Sequence, residues 1–389
     1  MRRLPPTLLL TIVLAVSLAA SAQTETVLYN FCNGVIGCTT DGLGPVGSLI
    51  IDPAGNFYGV TNWGGTYAHG TVFKLTPDGT ESILYSFGAP SSDGLVPDAG
   101  LLRDGLGNLY GTTAAGGTYS WGTVFKLAPD GTETILHSFS RNGIDGASPE
   151  SPLLMDKSGN LYGTTIAGGP YNDSGILFEL SPDGTETILH SFGNGTDGAG
   201  PSGALIMDSA GNLYGTTQIG GAYPNGGTVF KYSSNGTETI LHNFNPSNGD
   251  GVWPFDGVLM DKKGNLYGTT AYGGVYSHGT LFVVRPDGSE VIVHRFGYKT
   301  DGSNPEAGLI MDAKGNLYGT TFAGGSANRY AGTVFRYSPA GTETILVNFD
   351  VANGYEPVAG LIMDKSGNLY GVTTGGGTAS AGTVFKVTP

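Results

Sequence analysis

Histidine side chains are the first residues to test for metal binding or acid–base chemistry, and the chain has six of them. Four end copies of one recurring phrase, TETILH or a close variant, at intervals of 52 or 53 residues: His137, His190, His242 and His294. Other copies have Tyr29, Tyr85 and Val347 in that place. The ligands of one ion must lie within a few ångströms of each other. Four histidines in separate copies of a repeat therefore predict no common metal site.

Large aromatic side chains in predicted loops indicate a binding site rather than a reaction centre. All three tryptophans fall in such loops, where a large ring buries little area unless a ligand covers it. Aromatic rings with a few polar neighbours suit sugar rings or an extended peptide. Packing of the loops against each other is the alternative interpretation. The candidate ligand-binding residues are Trp63, His69, Trp121, Trp253, Phe255, Asp256, Tyr272, His278, Phe322, Arg329 and Tyr330.

Acidic residues recur in the same predicted loops. Six copies of the repeat have an Asp before Gly, and the seventh has Asn: Asp41, Asp93, Asp145, Asp197, Asp250, Asp301 and Asn353. Further acids lie beside the proline that follows: Asp98, Glu150, Asp256, Glu306 and Glu356. The simplest interpretation is that Asp-Gly forms the turn. A calcium-dependent surface is the alternative, although no D-x-D-x-D-G loop supports it. We expect no cofactor, with calcium left open.

The two cysteines, Cys32 and Cys38, lie six positions apart in the sequence CNGVIGC. In an exported protein this spacing predicts a local disulfide. A pair of free thiols is the alternative.

Composition and charge narrow the class of protein. The chain has 67 Gly in 389 residues without a Gly-X-Y period, which excludes collagen, and its 10% aromatic content argues against disorder. The net charge of -14 repels phosphate backbones, so we expect no nucleic-acid partner.

The first 22 residues have the pattern of a secretory signal peptide. Arg2 and Arg3 precede an apolar run, and Ala20-Ser21-Ala22 supplies the small residues of a cleavage site. The run is too short for a comfortable membrane span. We therefore predict a secreted or periplasmic protein without a membrane span, and expect a monomer.

One repeat organises the remainder of the chain. The phrase GNLYG, or a close variant, recurs seven times at intervals of 51 to 53 residues, which fits a four-stranded propeller blade. Turn signals divide each copy into strands a to d, which in the third copy cover 151–156, 161–165, 175–181 and 185–192. No sustained helical periodicity is present, so helix should be nearly absent. The d–a and b–c loops should emerge on the same face.

The two ends of the chain predict how the ring closes. The last copy ends in a strand c, GTVFKVTP, and the N-terminal TETVLYNF matches strand d of the other copies. We therefore predict one all-β domain, a seven-bladed β-propeller of four-stranded antiparallel blades. In this prediction 23–31 form the outer strand of blade seven, about 46–349 form blades one to six, and 357–389 form the inner three strands of blade seven.

The phrases GNLYGTT, Gly-Gly, GTVFK and DGTETIL resemble those of the Gloeo/Verruco tandem-repeat family, or GloVer repeats, of exported bacterial propellers. The resemblance covers 23–389. It implies the propeller fold and export, and brings no established activity to any residue. The order GLIMD, GNLY and a hairpin is similar, more loosely, to NHL-type and streptogramin-lyase-like propellers.

These observations favour an exported, non-catalytic interaction propeller that recognises a glycan or a protein through its loop face. The alternative is a propeller lyase or hydrolase with a metal-assisted site at the axial mouth. Fold alone does not decide between them.

Overall fold

The computed structural model of the protein describes residues 24–34, 40–297, 300–326 and 331–389. The predicted signal peptide, Cys38, Arg329 and Tyr330 lie outside these residues. Within them, seven four-stranded antiparallel sheets are present, together with a single 3-10 turn at Phe31–Gly34 and no α-helix. The predicted seven-bladed propeller is confirmed.

The strands are numbered here in chain order. Blade one and the segment before it contain β1 (Thr24–Asn30), β2 (Gly42–Ile51), β3 (Phe57–Gly64), β4 (Thr71–Leu75) and β5 (Glu81–Ser86). Blade two contains β6 (Gly94–Leu95), β7 (Leu102–Arg103), β8 (Leu109–Thr113), β9 (Ala115–Gly116), β10 (Thr123–Leu127) and β11 (Glu133–Ser138). Blade three contains β12 (Gly146–Ala147), β13 (Leu154–Met155), β14 (Leu161–Thr165), β15 (Ala167–Gly168), β16 (Ile176–Leu180) and β17 (Glu186–Ser191).

Blade four contains β18 (Ile206–Met207), β19 (Leu213–Thr217), β20 (Thr228–Tyr232) and β21 (Glu238–Asn243). Blade five contains β22 (Gly251–Val252), β23 (Leu259–Met260), β24 (Leu266–Thr270), β25 (Tyr272–Gly273), β26 (Thr280–Val284) and β27 (Glu290–Arg295). Blade six contains β28 (Gly302–Ser303), β29 (Ile310–Met311), β30 (Leu317–Thr321), β31 (Ala323–Gly324), β32 (Thr333–Tyr337) and β33 (Glu343–Asn348). Blade seven contains β34 (Ile362–Met363), β35 (Leu369–Thr373) and β36 (Thr383–Thr388).

The ring closes through the N-terminal strand. β1 pairs antiparallel with β36, from Thr24 opposite Thr388 to Asn30 opposite Thr383, and so becomes the outer strand of blade seven. The amide of Phe31 then donates a hydrogen bond to the carbonyl of Gly382 at 3.1 Å. The predicted closure is confirmed.

Phenylalanine pairs join each blade to the next. A Phe at the end of strand d meets, edge to face, the Phe in strand c of the following blade, with ring centroids 5.0 to 5.3 Å apart. The pairs are Phe31–Phe73, Phe87–Phe125, Phe139–Phe178, Phe192–Phe230, Phe244–Phe282, Phe296–Phe335 and Phe349–Phe385. All these rings are buried. The glycine of each LYG phrase makes room for them: a Cβ on Gly111 would lie 2.7 Å from Cζ of Phe125.

The a–b turns explain the repeated Asp and Tyr. In blade five the Asp261 carboxylate accepts hydrogen bonds from the Lys263 amide at 2.8 Å and the Asn265 amide at 2.9 Å. The Tyr267 hydroxyl donates to the same carboxylate at 3.3 Å. Equivalent bonds occur in every blade. These residues build the turn, as expected from the sequence.

Strand a is shorter than the sequence suggests. In blade three only Leu154–Met155 pair with β14, although 151–156 were the predicted strand. Pro152 has no amide to donate to a neighbouring strand, and Glu150 and Pro152 line the centre of the ring instead.

Candidate ligand-binding face and axial cavity

The d–a and b–c loops meet on one face of the ring, as predicted, which we call the loop face. Short two-stranded ribbons join them in blades two, three, five and six, as where β22 pairs with β25. In blade one the ribbon is continuous with β2 and β3, so Trp63 lies at the end of a strand, opposite Leu43, and not in a loop. β2 and β3 therefore extend the sheet of blade one as far as the Gly42–Gly64 pair on the loop face.

A belt of backbone hydrogen bonds runs around the loop face. The residue before each loop proline donates its amide to the preceding blade, as when Trp253 bonds the Gly226 carbonyl at 3.1 Å. This residue has a positive φ in all seven blades, at Gly44, Val96, Ser148, Gly200, Trp253, Asn304 and Glu356. Glycine suits that backbone and occurs twice, whereas Trp253 holds φ 59° with a large side chain. The backbone therefore does not demand a tryptophan there.

Trp253 is the centre of an exposed aromatic cluster in blade five. Its ring lies 5.5 Å from that of Tyr272 and 6.1 Å from that of Phe255, both edge to face. Trp253 is 38% and Tyr272 41% exposed. The structure thus brings three of the predicted ligand-binding residues together, and we call them the blade-five aromatic cluster.

The remaining predicted residues are distributed around the face. Trp121 stacks against the guanidinium of Arg141, 4.3 Å from the ring centroid, and Arg141 is held by an ion pair with Asp173. One face of the Trp121 ring is thereby covered by Arg141 of the same protein.

His69 and His278 are half-buried and occupy the same position of the repeat in blades one and five. The carbonyl of His278 accepts a hydrogen bond from the Asn304 amide at 2.9 Å. Phe322 is half-buried, and its backbone amide donates a hydrogen bond to the Asn304 carbonyl at 2.9 Å.

Asp256 is half-buried and links three blades. Its carboxylate accepts hydrogen bonds from the amides of Ala204 at 3.0 Å, Gly257 at 2.6 Å and Gly308 at 2.6 Å. These amides belong to blades four, five and six, so the side chain acts as a clamp at the centre of the ring.

The centre of the loop face opens into a cavity of about 260 Å³, the axial cavity. The residue directly after the loop proline lines it in all seven blades: Val46, Asp98, Glu150, Ser202, Phe255, Glu306 and Val358. Phe255 belongs to both the cavity and the blade-five aromatic cluster. The acids among them are visible in the sequence beside the loop prolines, but their convergence in one cavity was not predicted. One sequence signal pointed to this cavity: the residue after the loop proline is apolar in some blades and polar or acidic in others, unlike the constant positions of the repeat.

The axial carboxyl groups are poorly solvated. Burial raises the pKa of Glu150 to about 7, and the nearby Asp98 carboxyl adds to the effect. Burial likewise raises the pKa of Glu306 to about 7, with Glu356 adding. The pKa of Asp98 is also raised by burial. Near neutral pH Glu150 and Glu306 can both donate and accept hydrogen bonds, which suits a ligand rich in hydroxyl groups, and they can exchange protons with it.

A second set of ionisable groups lies between the blades. Each of the four strand-d histidines faces the Asp of its own d–a loop and a Glu from the next blade. Three of these groups bring their ligand atoms within 4.8 Å of one another, namely His137, Asp145 and Glu186; His242, Asp250 and Glu290; and His294, Asp301 and Glu343. The four histidines lie in separate blades, as the repeat predicts. Their carboxylate partners were not predictable from the repeat, because the Glu comes from its next copy.

Comparison with known proteins gives a family and a fold. The family model described as Gloeobacter/Verrucomicrobia repeat matches residues 14–226 and 202–389. No curated protein matches the chain significantly. Among the described residues, no helix is long and apolar enough to cross a membrane.

Solved structures share the architecture at low identity. Virginiamycin B lyase from Staphylococcus aureus is similar with a TM-score of 0.60 and 12% identity, over 94% of this chain and 99% of that one. Two extracellular domains of proteins described as hybrid two-component systems of B. thetaiotaomicron are similar with TM-scores of 0.60 and 0.59. Their identities are 14% and 15%, over 91% and 94% of this chain and 39% and 41% of theirs. At such identity the likeness shows the fold alone.

Proposed function

The chain belongs to the Gloeobacter/Verrucomicrobia repeat family, and we propose that it is an exported binding protein that recognises a glycan or a protein through its loop face. The blade-five aromatic cluster carries this proposal. Trp253 occupies a left-handed backbone position that is glycine in two other blades. Relative to glycine such a conformation costs on the order of 1 kcal/mol. An exposed tryptophan in that conformation is best explained by a ligand that covers it.

The neighbouring axial cavity favours a glycan over a protein segment. Sugar rings stack their C–H faces on aromatic side chains, and their hydroxyl groups bond carboxyl groups. Here Phe255 joins the aromatic cluster to a cavity lined by Asp98, Glu150 and Glu306. Export is supported by the pattern of the first 22 residues and agrees with the extracellular origin of two similar structures.

The first prediction tests the aromatic cluster. Residues 23–389 are screened against immobilised polysaccharides and then against peptides, and Trp253→Gly is compared with the wild type. We expect a loss of affinity of roughly thirtyfold or more, because a central aromatic anchor contributes about 2 kcal/mol or more. The same variant should stay within about 1 kcal/mol of the wild type in urea unfolding, because relief of the left-handed backbone offsets the lost contacts with Tyr272 and Phe255.

The matched variants are Tyr272→Ala, which should also lose binding, and Trp63→Ala, which changes a tryptophan outside the cluster and should keep it. Unchanged affinity of Trp253→Gly, or the absence of binding to every polysaccharide and peptide, would show the proposal to be wrong.

A second candidate function is a lyase or hydrolase reaction at the axial mouth. The observation that favours it is the pair Glu150 and Glu306, whose pKa values near 7 suit general acid–base work. If a bound glycan is cleaved, Glu150→Gln or Glu306→Gln should reduce turnover at least about 100-fold while binding persists. If the wild type binds a glycan without cleaving it, the enzymatic function is excluded for that glycan and only the binding function stands.

A further inference from the structure

Each junction between blades contains one copy of a three-residue arrangement. It consists of the sixth residue of the TETILH phrase, the Asp of the following d–a loop, and the Glu that begins strand d of the next blade. The seven copies are Tyr29/Asp41/Glu81, Tyr85/Asp93/Glu133, His137/Asp145/Glu186, His190/Asp197/Glu238, His242/Asp250/Glu290, His294/Asp301/Glu343 and Val347/Asn353/Glu25.

Five of these junctions contain a direct hydrogen bond between two of their three residues. Tyr29 and Tyr85 donate their hydroxyls to the loop Asp at 2.9 and 3.0 Å. His190 and His242 bond the loop Asp through Nε2 at 3.0 and 3.2 Å. In the seventh junction, where valine replaces the ring, the Asn353 side-chain amide donates to Glu25 at 2.7 Å.

The His137 and His294 junctions differ from the others in geometry. Nε2 of His137 lies 3.6 Å from Oδ1 of Asp145 and 3.7 Å from Oε1 of Glu186. Nε2 of His294 lies 3.5 Å from Oδ2 of Asp301 and 3.6 Å from Oε1 of Glu343. These separations are long for a hydrogen bond. They approach the edge of about 3.4 Å between ligands of a tetrahedral zinc ion with bonds of about 2.1 Å.

The same atoms lack partners. Among the described histidines, Nε2 is buried without a hydrogen bond only in His137 and His294. Oε1 of the junction glutamate lacks a hydrogen-bond partner in all seven junctions, including Glu186 and Glu343. An unsatisfied buried polar atom costs about 1 to 3 kcal/mol. In the His137 and His294 junctions, one cation placed between the imidazole and the two carboxylates would satisfy Nε2 and Oε1 at once.

The loop aspartates are already oriented for such a role. Oδ1 of Asp145 accepts the Gly146 amide at 2.7 Å, and its Oδ2 accepts the Ser140 amide at 2.8 Å. The Asp301 carboxylate accepts the amides of Gly297 at 2.7 Å and Gly302 at 2.9 Å. Hydrogen bonds of this kind fix the direction of a ligating carboxylate.

We propose that His137, Asp145 and Glu186 form one binding site for a divalent transition-metal ion, zinc first, and that His294, Asp301 and Glu343 form a second. Each ion is held by Nε2 and one oxygen from each carboxylate, with a fourth position for water. The first ion ties blade two to blade three, and the second ties blade five to blade six.

The test is a zinc titration of residues 23–389 by calorimetry, with His137→Val, His294→Val and the double variant. Valine occupies this position in blade six, and tyrosine in blades one and seven, so His137→Tyr and His294→Tyr are second variants for which the fold has precedent. We expect about two ions per wild-type chain, about one in each single variant and none in the double variant. The affinity at a changed site should fall roughly 100-fold or more, because one of three ligands is lost.

Zinc should also raise the thermal midpoint of the wild type, because it binds only the folded chain, and should not do so in the double variant. His190→Val is the matched control and should keep both ions, since His190 already bonds Asp197 directly. A wild type that binds no zinc, or a double variant that binds two ions with unchanged affinity, would overturn the proposal.

Discussion

Glu150 and Glu306 occupy the same position of blades three and six, directly after the loop proline, and both face the axial cavity. Burial raises the pKa of each to about 7 from an ordinary value of 4.5. The folded protein therefore binds protons at these groups more tightly than the unfolded chain. Their contribution to stability is complete below pH 4.5 and is lost as the pH rises through 7.

The second prediction follows from this sign. The free energy of unfolding should fall between pH 5 and pH 8, and the double variant Glu150→Gln, Glu306→Gln should show a smaller fall, because glutamine carries no charge to desolvate. Urea unfolding at pH 5, 6, 7 and 8 measures both. Buried glutamates at the blade junctions, such as Glu133 with a pKa of about 7, contribute to the slope of both proteins, so the difference isolates the axial pair. Equal slopes would contradict the prediction.

At the scale of the elements, strands c and d carry the contact between blades. Phe178 in β16 is fully buried and meets Phe139 of blade two with ring centroids 5.3 Å apart. Every blade repeats this pair, so each junction has its own small core rather than sharing a single one.

The third prediction concerns that core. Phe178→Ala should lower the free energy of unfolding by about 3 to 5 kcal/mol, because it removes a buried ring and leaves a cavity next to Gly163 and Leu153. Urea unfolding at constant pH measures the loss. Tyr171→Ala changes an exposed aromatic residue in the b–c loop of the same blade and should cost less than about 0.5 kcal/mol. Similar losses for both variants would show that the junctions do not depend on these pairs.

Structures formed by residues close in sequence were predictable, and sites formed by residues from several blades were not. The turn at Asp261 was predictable because its partners, Lys263 and Asn265, lie within four residues of it. The axial cavity was not predictable, because Glu150 and Glu306 lie far apart in the sequence. They face one cavity only because the seven blades form a closed ring. The clamp formed by Asp256 shows the same limit, since its partners belong to neighbouring blades.

At the scale of the whole molecule, one strand decides whether the ring is closed. β1 forms the outer edge of blade seven, and Phe31 contributes the ring that faces Phe73 of blade one. Without this segment β36 presents an unpaired edge and the junction between blades seven and one loses its aromatic pair.

The fourth prediction removes that segment. Deletion of 24–31 should cause aggregation or a loss of about several kcal/mol, measured by size-exclusion chromatography and thermal unfolding. As a control, the same eight residues are attached after Pro389 through Asp-Gly, which recreates the turn found between strands c and d of the other blades, as at Pro182 to Gly184. This permuted chain should recover the stability of the wild type. A truncated protein that is equally soluble and heat-stable would contradict the closed ring.

The pairing of β1 with β36 also fixes an order of events during synthesis. The partner of β1 begins at Thr383, about 360 residues after Thr24. At about 5 to 20 residues per second, a ribosome needs tens of seconds to produce that partner. Blades one to six are built from hairpins of neighbouring strands and can form during this time. β1 has no strand partner until β36 is made. Until this pairing forms, β1 and β36 each present an unpaired strand edge, which is a site where chains can aggregate.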